Sequence, residues 1–156
     1  MKISMISAMT EARVIGLNNK MPWHVPAELQ HFKKVTMGKP MIMGRNTFDA
    51  IGRRLLPGRR TIVLTRDTSL SGEGFDVAHS KEEALALAKP SDEVMIIGGA
   101  KIYELFLPQA SKLYLSLIPG VYEGDTFFPS FSDKEWKLKE QQDNHEFTVK
   151  IFEKIT

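Results

Sequence analysis

One carboxylate lies on a side of a predicted helix where acids are uncommon. The stretch MPWHVPAELQHFKK, residues 21–34, predicts a turn that leads into an amphipathic helix, because Pro26 fits the first helical turn. At about 100° per residue, Glu28 falls roughly 40° from the centre of an apolar stripe formed by Val25, Leu29, Phe32 and Val35. The acid therefore points inward. It could stabilise the helix start through the helix dipole or bind a ligand, and the pattern alone leaves both interpretations open.

Two predicted strands each run into glycine and then into a helix. MIMG is followed by RNTF, and VMIIGG is followed by AKIY. Free N–H groups at a helix start, approached closely because glycine has no side chain, can bind phosphate. Arg45 and Lys101 stand at these two starts, and Arg66 follows the strand TIVLT. Each glycine alone could be a simple turn. Together with three cations they favour pyrophosphate plus a 2′-phosphate, hence NADP, although the pattern G-x-G-x-x-G is absent.

The remaining reactive side chains give weaker signals. The histidines have no metal-ligand spacing and no evident serine partner, so we predict surface or capping roles for His24, His31, His79 and His145, and no metal site. The methionines are interpreted as core or loop packing. Trp23, beside two prolines, is either core or one wall of a pocket for a flat heterocycle.

Composition limits the classes of protein to consider. The chain has 156 residues, which fits a single domain over 1–156. It has no cysteine, so disulfides, thiolate nucleophiles and Cys-ligated metals are excluded. Its formal net charge of +2 and dispersed Lys and Arg residues give no reason to expect nucleic acid or membrane binding. Polar residues interrupt the N-terminal apolar run too early for a signal peptide, so we expect a cytoplasmic protein.

The order of predicted elements favours an α/β fold. Strands are predicted at 2–8, 39–44, 61–65, 75–79, 93–99 and 112–118, and helices at 26–36, 45–52, 80–89 and 100–110. This alternation favours a mostly parallel sheet flanked by helices. The C-terminal segments 135–141 and 146–155 alternate polar and apolar residues, which indicates an antiparallel hairpin at a sheet edge.

An ordered set of segments along nearly the whole chain resembles the dihydrofolate reductase family. The segments are ISAMTEARVIGLNNKMPW (6–23), PAELQHFK (26–33), MGRNTFDAIGR (43–53), LPGR (56–59), IVLTR (62–66), MIIGGAKIYE (95–104), LYLSLI (113–118) and EGDTFFP (123–129). The resemblance implies a mixed, mostly parallel sheet of eight strands with four flanking helices and an antiparallel C-terminal strand. It also implies a cis peptide between Gly98 and Gly99, and a mobile loop at 10–25 that Asp125 could steady.

The implied reaction is hydride transfer from NADPH to C6 of 7,8-dihydrofolate, with protonation at N5 to give tetrahydrofolate. Glu28 matches the family's pocket acid, which would accept hydrogen bonds from N3 and the 2-amino group of the pterin and so orient the ring. Water is then the expected immediate proton donor. Trp23 and Ser116 complete the implied catalytic set, with Ser116 standing where the family usually has threonine.

The resemblance also implies two binding surfaces. Arg59 matches the cation for the α-carboxylate of the substrate's glutamate tail, and the other implied substrate residues are Ile6, Ala8, Leu29, Phe32, Lys33, Ile51, Arg53 and Ile97. The implied cofactor residues are Ala8, Ile15, Gly16, Asn19, Met21, Gly44, Arg45, Asn46, Thr47, Leu64, Thr65, Arg66, Ile97, Gly98, Gly99, Ala100, Lys101, Ile102, Tyr103 and Thr126. The expected partners are dihydrofolate and antifolate inhibitors, and the expected state is a monomer.

Two features depart from the usual bacterial pattern. The acid is Glu where bacterial members generally carry Asp, and GRRLLPGR is one residue longer than GRPLPGR. Two alternatives to the reductase remain. A pyrimidine reductase of riboflavin synthesis shares the fold in outline but does not require the MPW, PAEL and PGR segments. A catalytically silent nucleotide-binding or folate-binding module would be expected to lack the inward acid or the glycine pair, and both are present.

Overall fold

The computed structural model describes residues 1–155, and the strands within this range form one large sheet and one small sheet. The strands are β1 Lys2–Met9, β2 Val14–Gly16, β3 Met41–Gly44, β4 Thr61–Leu64, β5 Phe75–Ala78, β6 Glu93–Ile96, β7 Lys112–Leu117, β8 Thr126–Phe127, β9 Trp136–Asp143 and β10 Thr148–Lys154. The large sheet has eight strands in the order β5-β4-β3-β6-β1-β7-β10-β9. Its strands from β5 to β7 pair in parallel, and β10 pairs antiparallel with both β7 and β9.

Four α-helices connect these strands. They are α1 Pro26–Thr36, α2 Arg45–Ala50, α3 Lys81–Ala88 and α4 Ala100–Phe106, the last followed by a 3₁₀ turn at Leu107–Gln109. Pro26 begins α1, as predicted, because its missing N–H needs no partner in a first turn. Ser80 caps α3 by accepting a hydrogen bond from the Glu83 N–H over 3.0 Å. The predicted eight-stranded mixed sheet with four helices and an antiparallel C-terminal hairpin is therefore confirmed.

The strand order places a reversal of winding at the centre of the sheet. The chain moves outward from β3 through β4 to β5 and returns with β6, which lies between β3 and β1. Because these strands are parallel, their carboxyl ends meet at one edge, where α/β folds bind ligands. β6 ends at Ile96 rather than at residue 99, and the Gly98–Gly99 peptide that follows is cis, as expected.

Alternate residues of the central strands pack on opposite faces of the sheet. Ile42 of β3 and Ile96 of β6 belong to one core cluster, whereas Met41, Met43 and Met95 belong to the other. All five side chains are fully buried. The continuous apolar runs MIM and VMII are explained by this two-sided burial.

The small sheet pairs β2 with β8, which the sequence analysis did not predict. Strands of three and two residues give no measurable alternation. The Asp125 N–H donates to the Gly16 carbonyl over 3.0 Å, and the Asn18 N–H donates to Asp125 Oδ2 over 3.0 Å. These contacts hold the 10–25 loop against the 123–128 segment, in agreement with the expected role of Asp125.

Across residues 1–155, none of the helices is long and apolar enough to cross a membrane.

Candidate active site

Glu28 lies in the first turn of α1 with only 4% of its surface exposed. The predicted inward direction is confirmed, and Thr36 is the second buried side chain of the same helix. Burial raises the pKa of Glu28, and the Ser116 hydroxyl opposes that rise by stabilising the charged form. Ser116 is itself buried on β7, in register with Ala8 on the neighbouring β1. The carboxylate of Glu28 is thus buried next to Ser116 of β7, whose hydroxyl only partly offsets the effect of burial on its pKa.

Trp23 lies in the segment that enters α1 and is buried. Its ring packs against the ring of Tyr122 at an interplanar angle of 70°, with centroids 5.6 Å apart. The indole N–H is buried and has no acceptor among the described residues. Because buried donors are nearly always paired, this group is available to a ligand or a water molecule, and a role limited to core packing does not account for it.

Tyr103 connects α4 to the central strand β1. Its hydroxyl donates to the Ile6 carbonyl over 2.6 Å. Burial raises the pKa of Tyr103, Ser7 opposes this rise, and the charge of Glu28 adds to it. The tyrosine therefore stays neutral, and the charge of Glu28 helps to keep it so.

The two glycine-containing strand ends lie side by side. The Gly44 N–H donates to the Gly98 carbonyl over 2.8 Å, so the starts of α2 and α4 are adjacent. A Cβ at Gly44 would stand 2.9 Å from Ile102 Cγ1, and Gly98 has a φ of +117°, so both positions require glycine. Neither helix start has a side-chain cap. Their first N–H groups are open to an external acceptor.

The three predicted phosphate cations have different surroundings. Arg45 is held by two carboxylates: its Nη1 makes a short contact with Asp67, and its Nε lies 3.6 Å from Asp49. Arg66 and Lys101 are exposed and form no ion pair within residues 1–155. The sequence analysis missed Asp67. The signal for it was the D-T-S turn directly after Arg66, since Asp and Ser favour such turns.

The predicted tail-binding cations also differ. Arg59 is half-buried and donates to the hydroxyl of Thr36 at the end of α1 over 3.2 Å. Arg53 has a left-handed φ of +57° and donates from Nε to Asp49 Oδ1 over 2.7 Å. Lys33 is exposed. Arg59 is thus oriented by α1, whereas Arg53 is bound to α2.

The comparisons with known proteins agree with this geometry. A family model described as dihydrofolate reductase matches residues 2–154. The chain belongs to the dihydrofolate reductase family. A dihydrofolate reductase type 3 from Salmonella typhimurium is 48% identical over 141 residues, which is 90% of this chain and 86% of that protein. A dihydrofolate reductase from Staphylococcus haemolyticus is 39% identical, over 99% of this chain and 97% of its own.

A solved structure agrees as well. Dihydrofolate reductase from Enterococcus faecalis, complexed with NADP(H) and RAB-propyl, superimposes with a TM-score of 0.89 at 34% identity, over 98% of this chain and 96% of that one. Membership of the dihydrofolate reductase family confirms the predicted oxidoreductase class. The NADP(H) in that structure is the type of cofactor expected from the resemblance.

The apolar residues that the dihydrofolate reductase resemblance assigns to the pocket walls are partly accessible. Ile6 is buried, while Ala8, Phe32, Ile51 and Ile97 are half-buried. Leu29 and Met21 are 46% and 48% exposed. Leu29 therefore does not pack into the core as its place on the apolar stripe suggested. Phe32 and Val35, further along α1, make that contact instead.

The other assigned cofactor residues fall into two groups. Gly16 and Thr126 pair across the small sheet, and Ile15, Asn19 and Met21 belong to the same 10–25 loop as Gly16. Asn46, Thr47, Leu64, Thr65, Ala100 and Ile102 lie at or just after the carboxyl ends of β3 and β4 and at the start of α4. A Cβ on Gly99 would lie 3.6 Å from Thr47 Oγ1, which brings α2 and the cis peptide together.

The histidines correct one prediction. His31 is half-buried and packs against Phe147 with ring centroids 6.1 Å apart, so the expected surface role is wrong for this residue. His79 Nδ1 lies 2.9 Å from the Thr65 carbonyl oxygen, and the His79 backbone N–H donates to Glu83 Oε2 at the start of α3. Among residues 1–155, no three His, Asp or Glu side chains are grouped so as to hold a metal ion.

Proposed function

We propose that the chain reduces 7,8-dihydrofolate to 5,6,7,8-tetrahydrofolate with NADPH, by hydride transfer to C6 and protonation at N5. The observation that carries this proposal is the almost fully buried carboxylate of Glu28, whose charged form the Ser116 hydroxyl stabilises. Family membership and the NADP(H) complex of the Enterococcus faecalis structure support it.

Glu28 orients the substrate ring. Ionised, it has two acceptor oxygens for the N3 and 2-amino donors of the pterin, and each resulting bond is charge-assisted. The burial that raises the pKa of Glu28 leaves a carboxylate in need of donors, which the pterin supplies. An acid that only stabilised the helix start could do so at the surface without the desolvation cost of burial, and Glu28 is almost fully buried.

Trp23 and Glu28 also bear on the proton for N5. Water is the immediate donor, because Glu28 is engaged with the opposite edge of the pterin. The unpaired indole N–H of Trp23 can hold a water oxygen and leave its protons free for transfer. In this scheme Trp23 binds the water, Glu28 polarises the ring, and Ser116 supports the acid.

The residues around the glycine ends fit a dinucleotide with a 2′-phosphate. When bound, NADPH supplies the hydride. The open N–H groups before α2 and α4 suit the pyrophosphate, and Arg45 and Arg66 suit the 2′-phosphate. Gly44 and Gly98 let the two strand ends pack closely against Ile102 and Tyr103 of α4. Tyr103, whose hydroxyl donates to the Ile6 carbonyl, lies beside Gly98, where a Cβ would stand 3.2 Å from its hydroxyl oxygen.

The tail of the substrate is assigned to Arg59, whose guanidinium can donate two hydrogen bonds to one carboxylate. The proposed unit of function is the single domain over 1–156. A monomeric state and a cytoplasmic location stay predictions.

The direct test follows NADPH absorbance on addition of dihydrofolate. We expect oxidation of NADPH that requires dihydrofolate. Catalytic efficiency with NADH should be at least tenfold lower, because NADH lacks the 2′-phosphate and therefore one or two charge-assisted hydrogen bonds. A ribosylated aminopyrimidine, the substrate class of the alternative enzyme, should give no turnover. Turnover with the aminopyrimidine in place of dihydrofolate would contradict the proposal, and binding of both ligands without turnover would indicate a silent module.

A further inference from the structure

Arg45 has one part of its guanidinium left open by two acidic neighbours. Nη1 contacts Asp67 Oδ2, and Nε lies 3.6 Å from Asp49 Oδ2. Nη2 has no hydrogen-bond partner within the part of the chain that the structure describes. Both edges of a guanidinium that can make a bidentate contact include Nη2. Because Nη2 is open, the Arg45 side chain is anchored and can still bind a phosphate.

Asp67 is fixed by the turn in which it lies. Its N–H donates to Thr65 Oγ1 over 3.1 Å. Its Oδ1 accepts hydrogen bonds from the Ser69 N–H over 2.8 Å and from the Ser69 hydroxyl over 2.6 Å. With Oδ1 occupied, Oδ2 is directed to Arg45. The Ser69 hydroxyl, the Ser69 N–H and Arg45 together lower the pKa of Asp67 against a small effect of burial, so it is ionised at neutral pH.

The sheet register explains why Arg45 and this turn meet. Gly44 at the end of β3 is the partner of Leu64 at the end of β4. Arg45 and Thr65 therefore leave the sheet at the same level, and the turn at 65–69 lies beside the start of α2. Arg66, the exposed cation of the proposed 2′-phosphate site, belongs to this turn.

We propose that Asp67 is a positioning residue for the cofactor phosphate, acting through Arg45. This inference rests on the proposed NADPH-dependent function. An arginine side chain has many rotamers, and fixing one in advance lowers the entropy lost when the phosphate binds. Asp67 also repels a phosphate directly. The Asp67 carboxylate already pairs with Arg45 Nη1 and accepts hydrogen bonds from Ser69. We therefore expect the benefit of orienting Arg45 to exceed the repulsion between Asp67 and the phosphate.

The test uses Asp67→Ala and Asp67→Asn, with dissociation constants for NADPH and NADH measured by fluorescence titration. Asp67→Ala should weaken NADPH binding roughly fivefold and leave NADH binding within about twofold, because NADH has no phosphate for Arg45 to meet. Asp67→Asn retains an acceptor oxygen, so its dissociation constant for NADPH should lie between those of the parent and the Ala variant. The turnover number at saturating NADPH should not change, since Asp67 does not touch the reacting ring.

Asp76→Ala is the matched control. Asp76 makes a similar exposed pair, with Arg60 Nη2 at 3.3 Å, away from the turn at 65–69. It should change neither dissociation constant. Equal weakening of NADPH and NADH by Asp67→Ala, or tighter NADPH binding, would overturn the role of Asp67 and leave the proposed function intact. A parent protein without any preference for NADPH would instead contradict the phosphate site itself.

Discussion

The Arg59 guanidinium donates from Nη1 to the hydroxyl oxygen of Thr36 over 3.2 Å. That hydroxyl in turn donates to the Phe32 carbonyl over 2.8 Å, and Arg59 Nε donates to the Pro57 carbonyl over 3.0 Å. The side chain is therefore fixed against the last turn of α1, despite the extra residue in GRRLLPGR. Burial lowers the pKa of Arg59, but a guanidinium remains a cation at any physiological pH.

Replacing Arg59 by Ala should weaken binding of dihydrofolate about tenfold or more, because a charge-assisted bidentate contact with the tail carboxylate is lost. Binding of a dihydropterin without the glutamate tail should change little. Steady-state KM values for both substrates provide the measurement. Arg60→Ala is the control, since Arg60 is a neighbouring exposed arginine paired with Asp76. Equal losses for both substrates would mean that Arg59 only holds α1 in place.

The sequence predicted those parts of the site that depend on regular periodicity. Glu28 could be placed inward from helical angles alone, and the glycine ends of β3 and β6 could be assigned to the ligand-binding edge of a mostly parallel sheet, although their adjacency could not. The contact between Arg45 and Asp67 could not be predicted in this way, because both residues are partly exposed and lie on irregular or terminal positions without a repeating pattern. Ser116 was assigned by family resemblance alone, and the pattern left Trp23 open between core and pocket wall, since a single buried serine or tryptophan is common in any core.

Glu28→Gln should fold but should lower the rate of hydride transfer at neutral pH about a hundredfold or more, since an amide cannot offer two anionic acceptor oxygens. Single-turnover measurement of NADPH oxidation separates this chemical step from product release. Glu82→Gln, at an exposed acid of α3 outside the implied site residues, is the control and should retain the parent rate. A Gln variant with the parent's single-turnover rate would rule out an essential charge at this position.

Glu28→Gln should also become more stable than the parent as pH rises. Burial raises the pKa of Glu28 above its usual 4.5, so the folded state binds the proton more tightly than the unfolded state does. The stability contributed by Glu28 is complete below the unfolded pKa and is lost as pH rises through the folded pKa. Urea unfolding should show that the free energy of unfolding of Glu28→Gln increases relative to that of the parent across this pH interval. A constant difference between the two proteins at every pH would contradict a raised pKa.

Glu93 has the opposite dependence on pH. Burial alone would raise the pKa of Glu93. The Ser4 hydroxyl donates to Glu93 Oε2 over 2.5 Å, and Lys39 donates to the same carboxylate. These hydrogen bonds and the charges of Lys39 and Lys2 outweigh burial, so the pKa of Glu93 is lowered. The group therefore stabilises the fold above its unfolded pKa, and this contribution is lost as pH falls through the folded pKa. Glu93→Gln should cost about 1 kcal/mol of unfolding free energy at neutral pH, after allowance for solvent screening.

The cost of Glu93→Gln should shrink as pH falls below 4.5 toward the lowered folded pKa. Glu153→Gln is a suitable comparison, because Glu153 makes an exposed ion pair with Lys139 at 3.9 Å and should have almost no effect. Equal destabilisation by Glu93→Gln at every pH would mean that lost packing, and not lost charge, causes the effect.

The length of the acid should influence inhibitor binding. Glu28→Asp withdraws the carboxylate by on the order of 1.5 Å, one carbon–carbon bond, and should retain substantial activity because the pterin and a bound water can adjust. Trimethoprim, a rigid diaminopyrimidine, must place its protonated ring against the acid and its second ring against the apolar wall at once. It has less freedom to adjust, so we expect the parent to be less sensitive to trimethoprim than the Asp variant.

Methotrexate provides the internal control for this prediction, because its glutamate tail also engages the Arg59 site and makes its affinity depend less on the acid. Inhibition constants of both drugs against both proteins give the comparison. The half-exposed Leu29, one residue after Glu28 in α1, can shift more readily than a core residue and so could absorb the added methylene. If the Asp variant binds trimethoprim no more tightly than the parent does, the wall has compensated for the longer side chain, and the charge of Glu28 alone determines how it contributes to binding.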